Sequence, residues 1–168
     1  MENEIVNKVA NSGLIQLDLE DLRPIGERVF FDIKPLLYQE LVLKEKDFRT
    51  FLAEHDWSYY QGKYVAIGCS ADAIIPTWAF MLLSIHLTPY AKRIVEGNLQ
   101  DLENELYREV IDTLNLEEYK EARIVIKGCS KESVPLSAYI YLSTKLQPIA
   151  KSLFFGEPCS TVPLFKKK

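Results

Sequence analysis

Residues 63–97 read KYVAIGCSADAIIPTWAFMLLSIHLTPYAKRIVEG, and residues 123–156 read RIVIKGCSKESVPLSAYIYLSTKLQPIAKSLFFG. With one gap opposite Ile74, 13 of the 34 aligned pairs are identical. They include Gly68/Gly128, Cys69/Cys129, Ser70/Ser130, Pro76/Pro135, Leu83/Leu142, Pro89/Pro148 and Gly97/Gly156. A self-match of this kind marks a duplicated structural unit. In each copy a run rich in β-branched residues leads into Gly-Cys-Ser, then a proline, then a long apolar stretch. That order reads as strand, turn and helix, with Pro76 and Pro135 in the first helical turn, where a missing N–H is harmless. The helices are expected over 76–94 and 135–155, kinked at Pro89 and Pro148.

Working outward, residues 47–55 place Phe48, Phe51 and Leu52 on one helical face, and 56–62 form an aromatic loop. Before the second copy, Asn98 reads as an N-cap with Asp101 at the third helical position. Leu99, Leu102, Leu106 and Val110 carry an apolar stripe to about Thr113, and 116–122 form the loop. The helix-strand-turn-helix repeats therefore span about 45–97 and 99–156. Nearer the start, residues 2–10 have helical spacing, while Ile15, Leu17 and Leu19 alternate with polar residues. Residues 28–33 (RVFFDI) read as a second strand, antiparallel to the first. Pro35 opens a short helical turn, 41–43 read as another strand, and 157–165 as a last loop or edge strand.

Neither copy, at roughly 50 residues, can bury its helix face alone. The expected fold is α/β, with α+β as the alternative. It is read as one compact domain over 1–168, with the copies related by a pseudo-two-fold axis and sharing a mixed sheet. A small β-rich portion lies at the N-terminus.

Of the 168 residues 48% are hydrophobic and 26% charged, and the formal net charge is -4. No whole-molecule field draws such a chain to nucleic acid or anionic lipid. No window reaches the uninterrupted apolar length of a membrane span. The start, MENEIVNKVANSG, lacks the basic and apolar regions of a secretion signal, so a cytoplasmic protein is expected. There, three cysteines are buried thiols, ligands or reactive groups rather than a disulfide framework.

Cys-Ser occurs at Cys69-Ser70, Cys129-Ser130 and Cys159-Ser160, each time followed by a proline. Three functional readings follow for the first two. Cys69 and Cys129 are paired thiols and metal ligands, with zinc or an iron–sulfur cluster as candidate cofactors. One cysteine is instead a nucleophile activated at a helix N-terminus. Or the turns built by Gly68, Ser70 and Asp72, and by Gly128, Ser130 and Glu132, cradle an anion with backbone N–H groups. The bland alternative is a small buried thiol beside a capping serine. A helix over 135–155 is about 30 Å long, which sets Cys129 and Cys159 apart and leaves Cys159 at a surface or subunit boundary. His86 faces Lys145 in the alignment and is expected to be exposed, and His55 closes a helix. No Cys-x-x-Cys, P-loop, Gly-x-Ser-x-Gly or His-Glu-x-x-His pattern is present.

The segments VAIGCSADAIIPTWAFMLL, KGCS…VPLSAY and GEPCSTVPLFK, with the opening MENEIVNKV, resemble the bacterial family catalogued as domain of unknown function 2480. The resemblance covers essentially the whole chain. It implies an accessory role beside iron–sulfur cluster assembly and carries no activity with it. The leading expectation is a non-enzymatic accessory or binding protein, self-associating, with iron–sulfur assembly proteins as partners. A thiol-dependent or anion-binding small enzyme is the alternative, and a structural interaction module the third reading.

Overall fold

The computed structural model describes residues 13–128, 131, 133–157 and 159–168. The helix expected over 2–10 lies outside them. In chain order, β1 (Leu14–Leu17) runs into a 3-10 turn at Glu20–Leu22, and β2 (Arg28–Asp32) into another at Lys34–Leu36. Then come α1 (Glu45–Glu54), a 3-10 turn at Trp57–Tyr60, β3 (Tyr64–Gly68), α2 (Thr77–Leu87) and β4 (Arg93–Glu96). The remainder is α3 (Leu99–Asp112), a 3-10 turn at Leu116–Tyr119, β5 (Arg123–Ile126), α4 (Leu136–Leu146), β6 (Ser152–Glu157) and β7 (Ser160–Lys166). The architecture is mixed α/β, as expected.

The chain divides into two compact units, a central one at Ile25–Glu105 and a terminal one made of residues 1–24 and 106–168. One order of elements occurs twice along the chain and extends beyond the sequence match, although α3, which belongs to the second occurrence, straddles the division between Glu105 and Leu106. It runs strand, 3-10 turn, helix, 3-10 turn, strand, helix, strand. Its first strand is β2 in the central unit and β1 in the terminal unit.

The expected shared mixed sheet is not what forms. The central unit has a three-stranded sheet in the order β2-β3-β4, and the terminal unit a four-stranded sheet in the order β1-β5-β6-β7. The expected antiparallel pairing of the two N-terminal strands gives way as well. β1 lies parallel to β5 with Leu17 beside Ile126, and β2 lies parallel to β3 with Phe31 beside Ile67. The physical reason is in β3 and β5, whose short runs YVAIG and RIVI are nearly all buried. Strands buried on both faces take parallel neighbours on both sides.

The long helices are also shorter than expected. α2 stops at Leu87 and α4 at Leu146, because Pro89 and Pro148 have no N–H with which to continue the ladder. The Tyr90 and Ala91 N–H groups both return to the Leu87 carbonyl, and Ile149 and Ala150 do the same at Leu146. The residues released become β4 and β6, parallel to β3 and β5. Residues 41–43 form no strand; an isolated bridge joins Tyr38 to Val42. The last segment is β7, antiparallel to β6 at the sheet's edge.

Each unit has its own core. In the central one Phe31, Ile33, Phe48, Leu52, Val65 and Ile67 surround Ala79, Leu83 and Leu87, the inward stripe of α2. In the terminal one Leu17, Leu19, Tyr107, Ile111, Ile124 and Ile126 surround Ala138, Leu142 and Leu146. Each fully buried leucine contributes about 2 kcal/mol.

Candidate functional site

The C-terminal end of β3 is where the first Gly-Cys-Ser turn leaves the sheet. Gly68 is obligatory there: a Cβ would lie 2.8 Å from the Gly97 carbonyl oxygen and 2.9 Å from the Phe30 ring. Beside it in register is Asp32, the last residue of β2. Asp32 Oδ1 accepts hydrogen bonds from the Ser70 N–H at 3.0 Å and the Lys34 N–H at 3.0 Å, and Oδ2 accepts from Ser70 Oγ at 2.6 Å. Partial burial alone would raise the Asp32 pKa. The bonds from Ser70 and Lys34 outweigh it and hold the carboxylate below its usual range. Cys69 sits between these anchors, half-buried against the central core, while Ser70 and Asp72 are exposed.

Asp72 precedes the first residue of α2 by five positions and Ser70 bonds to Asp32, so neither caps that helix. Its N-cap is Pro76, which offers no side-chain bond. The turn is therefore built around an internal carboxylate that already occupies the Ser70 N–H.

The terminal unit repeats the plan with a change of one residue. The Gly62 N–H bonds to Tyr90 O and the Lys92 N–H to Lys63 O; their counterparts are Glu121 to Ile149 and Lys151 to Ala122. This framework places Ile67 with Ile126, Gly68 with Lys127, and Cys69 with Gly128. The Gly-Cys-Ser motifs, aligned letter for letter in the sequence, are thus out of step by one position in the fold. Asp18 is the counterpart of Asp32. Its Oδ1 accepts the Glu20 N–H at 2.9 Å, and its Oδ2 takes Lys127 Nζ at 2.8 Å. Burial raises its pKa, yet the Lys127 and Glu20 bonds leave it lowered overall, and the same contact raises Lys127. A Cβ on Gly128 would lie 2.5 Å from the Phe155 ring. Cys129, Ser130 and Glu132 lie outside the described residues.

Cys159 is exposed in the hairpin turn between Glu157 and Ser160, which pair across β6 and β7. The length argument that set it apart from Cys129 falls, because α4 has 11 residues, not 21. Both histidines belong to an aromatic cluster. His55 lies 4.6 Å from Trp57 and 4.8 Å from Phe51, ring centre to ring centre, and its buried Nε2 has no hydrogen-bond partner among the described residues. His86 is half-buried, not exposed, with its ring 5.5 Å from Trp57 and Nδ1 2.9 Å from Leu82 O.

A family model described as Protein of unknown function (DUF2480) matches residues 3–167. The chain belongs to this family. No curated protein and no solved structure matches the chain significantly. Within this DUF2480 chain the acidic anchors Asp18 and Asp32 are what sequence reading missed. Their signal is a lone aspartate ending an apolar strand, in Leu-Asp-Leu and Phe-Phe-Asp-Ile. Among the described residues no three of His, Cys, Asp and Glu gather as metal ligands, and no helix is long and apolar enough to cross a membrane.

Proposed function

We propose that this chain is a non-enzymatic accessory protein that offers the thiols of its Gly-Cys-Ser turns, Cys69 and Cys129, to a partner in iron–sulfur cluster assembly. The observation that carries the reading is the Asp32–Ser70 anchor, which fixes the Cys69 turn at the carboxyl end of a parallel sheet. Ligands of open α/β sheets gather at that end. The same anchor argues against an anion cradle at the first turn, since a carboxylate of the chain already takes the N–H that a ligand would need. Zinc and iron–sulfur clusters ordinarily take four protein ligands. The described residues do not supply such a set, so they do not fit a resident metal. A metal or cluster is cargo here, with further ligands drawn from a partner. We further propose that the protein is cytoplasmic and associates with itself.

Anaerobic purification followed by elemental analysis and visible absorption, with and without a co-expressed scaffold of the assembly machinery, tests the reading. Zinc or iron that is lost in Cys69→Ser and Cys129→Ser is the expected result. Metal-free protein that fails to bind the scaffold, with all three thiols unreactive in the native state, overturns it in favour of a structural module. A thiol titrating well below 8.5 together with turnover of a substrate overturns its non-enzymatic part.

A further inference from the structure

The two units treat the same sheet edge differently. In the terminal unit the third strand, β6, is covered by β7, whose Phe165 pairs with Leu153. β7 is itself a guarded edge, since Pro163 lacks an N–H to offer. In the central unit the corresponding strand is β4, and among the described residues no strand lies beyond it. A groove of about 600 Å³ follows that edge, lined by Ile67, Phe80, Met81, Lys92, Ile94 and Glu96 among others. Met81 at its rim is 61% exposed.

β4 and the residue before it read Lys92-Arg93-Ile94-Val95-Glu96. The Lys92 N–H bonds to Lys63 O on β3, so alternation turns the backbone of Arg93 and Val95 outward. Ile94 packs on the central core, and Lys92 and Glu96 flank it on the same face. Two identical strands paired antiparallel must set outward-facing residues opposite one another, which limits the registers. A two-fold axis through Arg93 would oppose like charges, and one through Val95 would set Ile94 against Glu96. An axis through Ile94 places Ile94 on its own copy and Lys92 opposite Glu96, twice. These charges are available. The Glu96 side chain makes no ion pair or hydrogen bond among the described residues, and the Lys92 ammonium lies over the Tyr64 ring, 5.2 Å from its centre. β2, the other edge of this sheet, also has no strand beyond it among the described residues, but its Arg28 side chain is already paired to Glu103.

We infer that β4 is the edge through which two copies of this chain dimerise, antiparallel about a two-fold axis at Ile94, with Lys92 of each copy facing Glu96 of the other. The inference rests on the self-association proposed above and is independent of the thiols. Sedimentation equilibrium over a concentration series tests it on the full chain. Lys92→Glu or Glu96→Lys opposes like charges at two places and weakens the dimer by on the order of tenfold, while the double reversal restores it. Val95→Pro removes an outward N–H without touching the bonds to β3 and gives a monomer with an unchanged circular dichroism spectrum. Wild-type protein that is monomeric throughout overturns both self-association and the edge. A dimer indifferent to Val95→Pro and to both single reversals overturns the edge alone. Single reversals that weaken a dimer the double reversal fails to rescue overturn the register.

Discussion

Asp32 does for the first Gly-Cys-Ser turn what a helix cap does for a helix: one carboxylate satisfies two N–H groups and a hydroxyl that would otherwise compete for water. Replacing it by asparagine keeps the shape and removes the charge that strengthens those bonds. Asp32→Asn is expected to lower stability by about 1–2 kcal/mol, towards the lower figure because the group is only partly shielded from solvent. The urea midpoint should fall by roughly 0.5 M, and because the turn loosens more than the fold, Cys69 in Asp32→Asn should react several-fold faster with a maleimide under native conditions. An unchanged labelling rate would show that something other than Asp32 holds Cys69. Composition could not reveal this anchor. Asp32 and Ser70 are 38 positions apart, and only the β2–β3 register brings them together.

At the scale of elements, the sequence made some boundaries plain and concealed others. The start of α3 was legible because its signal is local. Asn98 Oδ1 accepts the N–H groups of Gln100 and Asp101, and Asp101 Oδ2 accepts the Asn98 N–H, a reciprocal cap spelled out in four letters. β4 and β6 were not legible. Each follows its helix after a short turn, and the short apolar runs Ile94–Val95 and Leu153–Phe155 show no alternation by which a buried strand differs from a helix. The proline that seemed to kink each helix in fact ends it. The close of β4 shows how tight the junction to α3 is. Gly97 has φ +120°, and a Cβ there would meet the Asp101 carboxylate that caps α3. Gly97→Ala therefore strains the backbone and displaces the cap at once. A loss of about 2 kcal/mol is expected, combining left-handed strain with a lost cap. Hydrogen exchange should show faster opening in the first turn of α3 than in α4. Equal exchange in both helices would mean that the junction absorbs the methyl group elsewhere.

Across the whole molecule, carboxylates and their partners set how stability depends on pH. Asp18 and Asp32 are lowered in spite of burial by the bonds they accept; Ser58 lowers Asp56, Lys145 lowers Asp112 and Lys167 lowers Glu121. A carboxyl group with a lower pKa in the folded state binds its proton more readily when unfolded. Its contribution is therefore complete above the unfolded value, near 4, and is lost as the pH falls through the folded one. The lysines run the other way. Lys127 is raised first by its bond to Asp18 and Lys145 by its bond to Asp112. Their contributions are complete below the unfolded lysine value, near 10.4, and are lost as the pH rises through the folded one. Stability should therefore hold level from about pH 5 to pH 9 and decline on both sides. Asp18→Asn is the informative variant because its carboxylate enters both limbs. The substitution removes one acid-titrating group and, with it, the partner that raises Lys127. Urea unfolding followed from pH 2 to pH 11 should show both declines shallower than in the wild type, with the two-unit fold intact at neutral pH. If only the acid decline softens, the Lys127 contact contributes nothing at high pH; if neither does, Asp18 makes the same contacts in the unfolded chain as in the folded one.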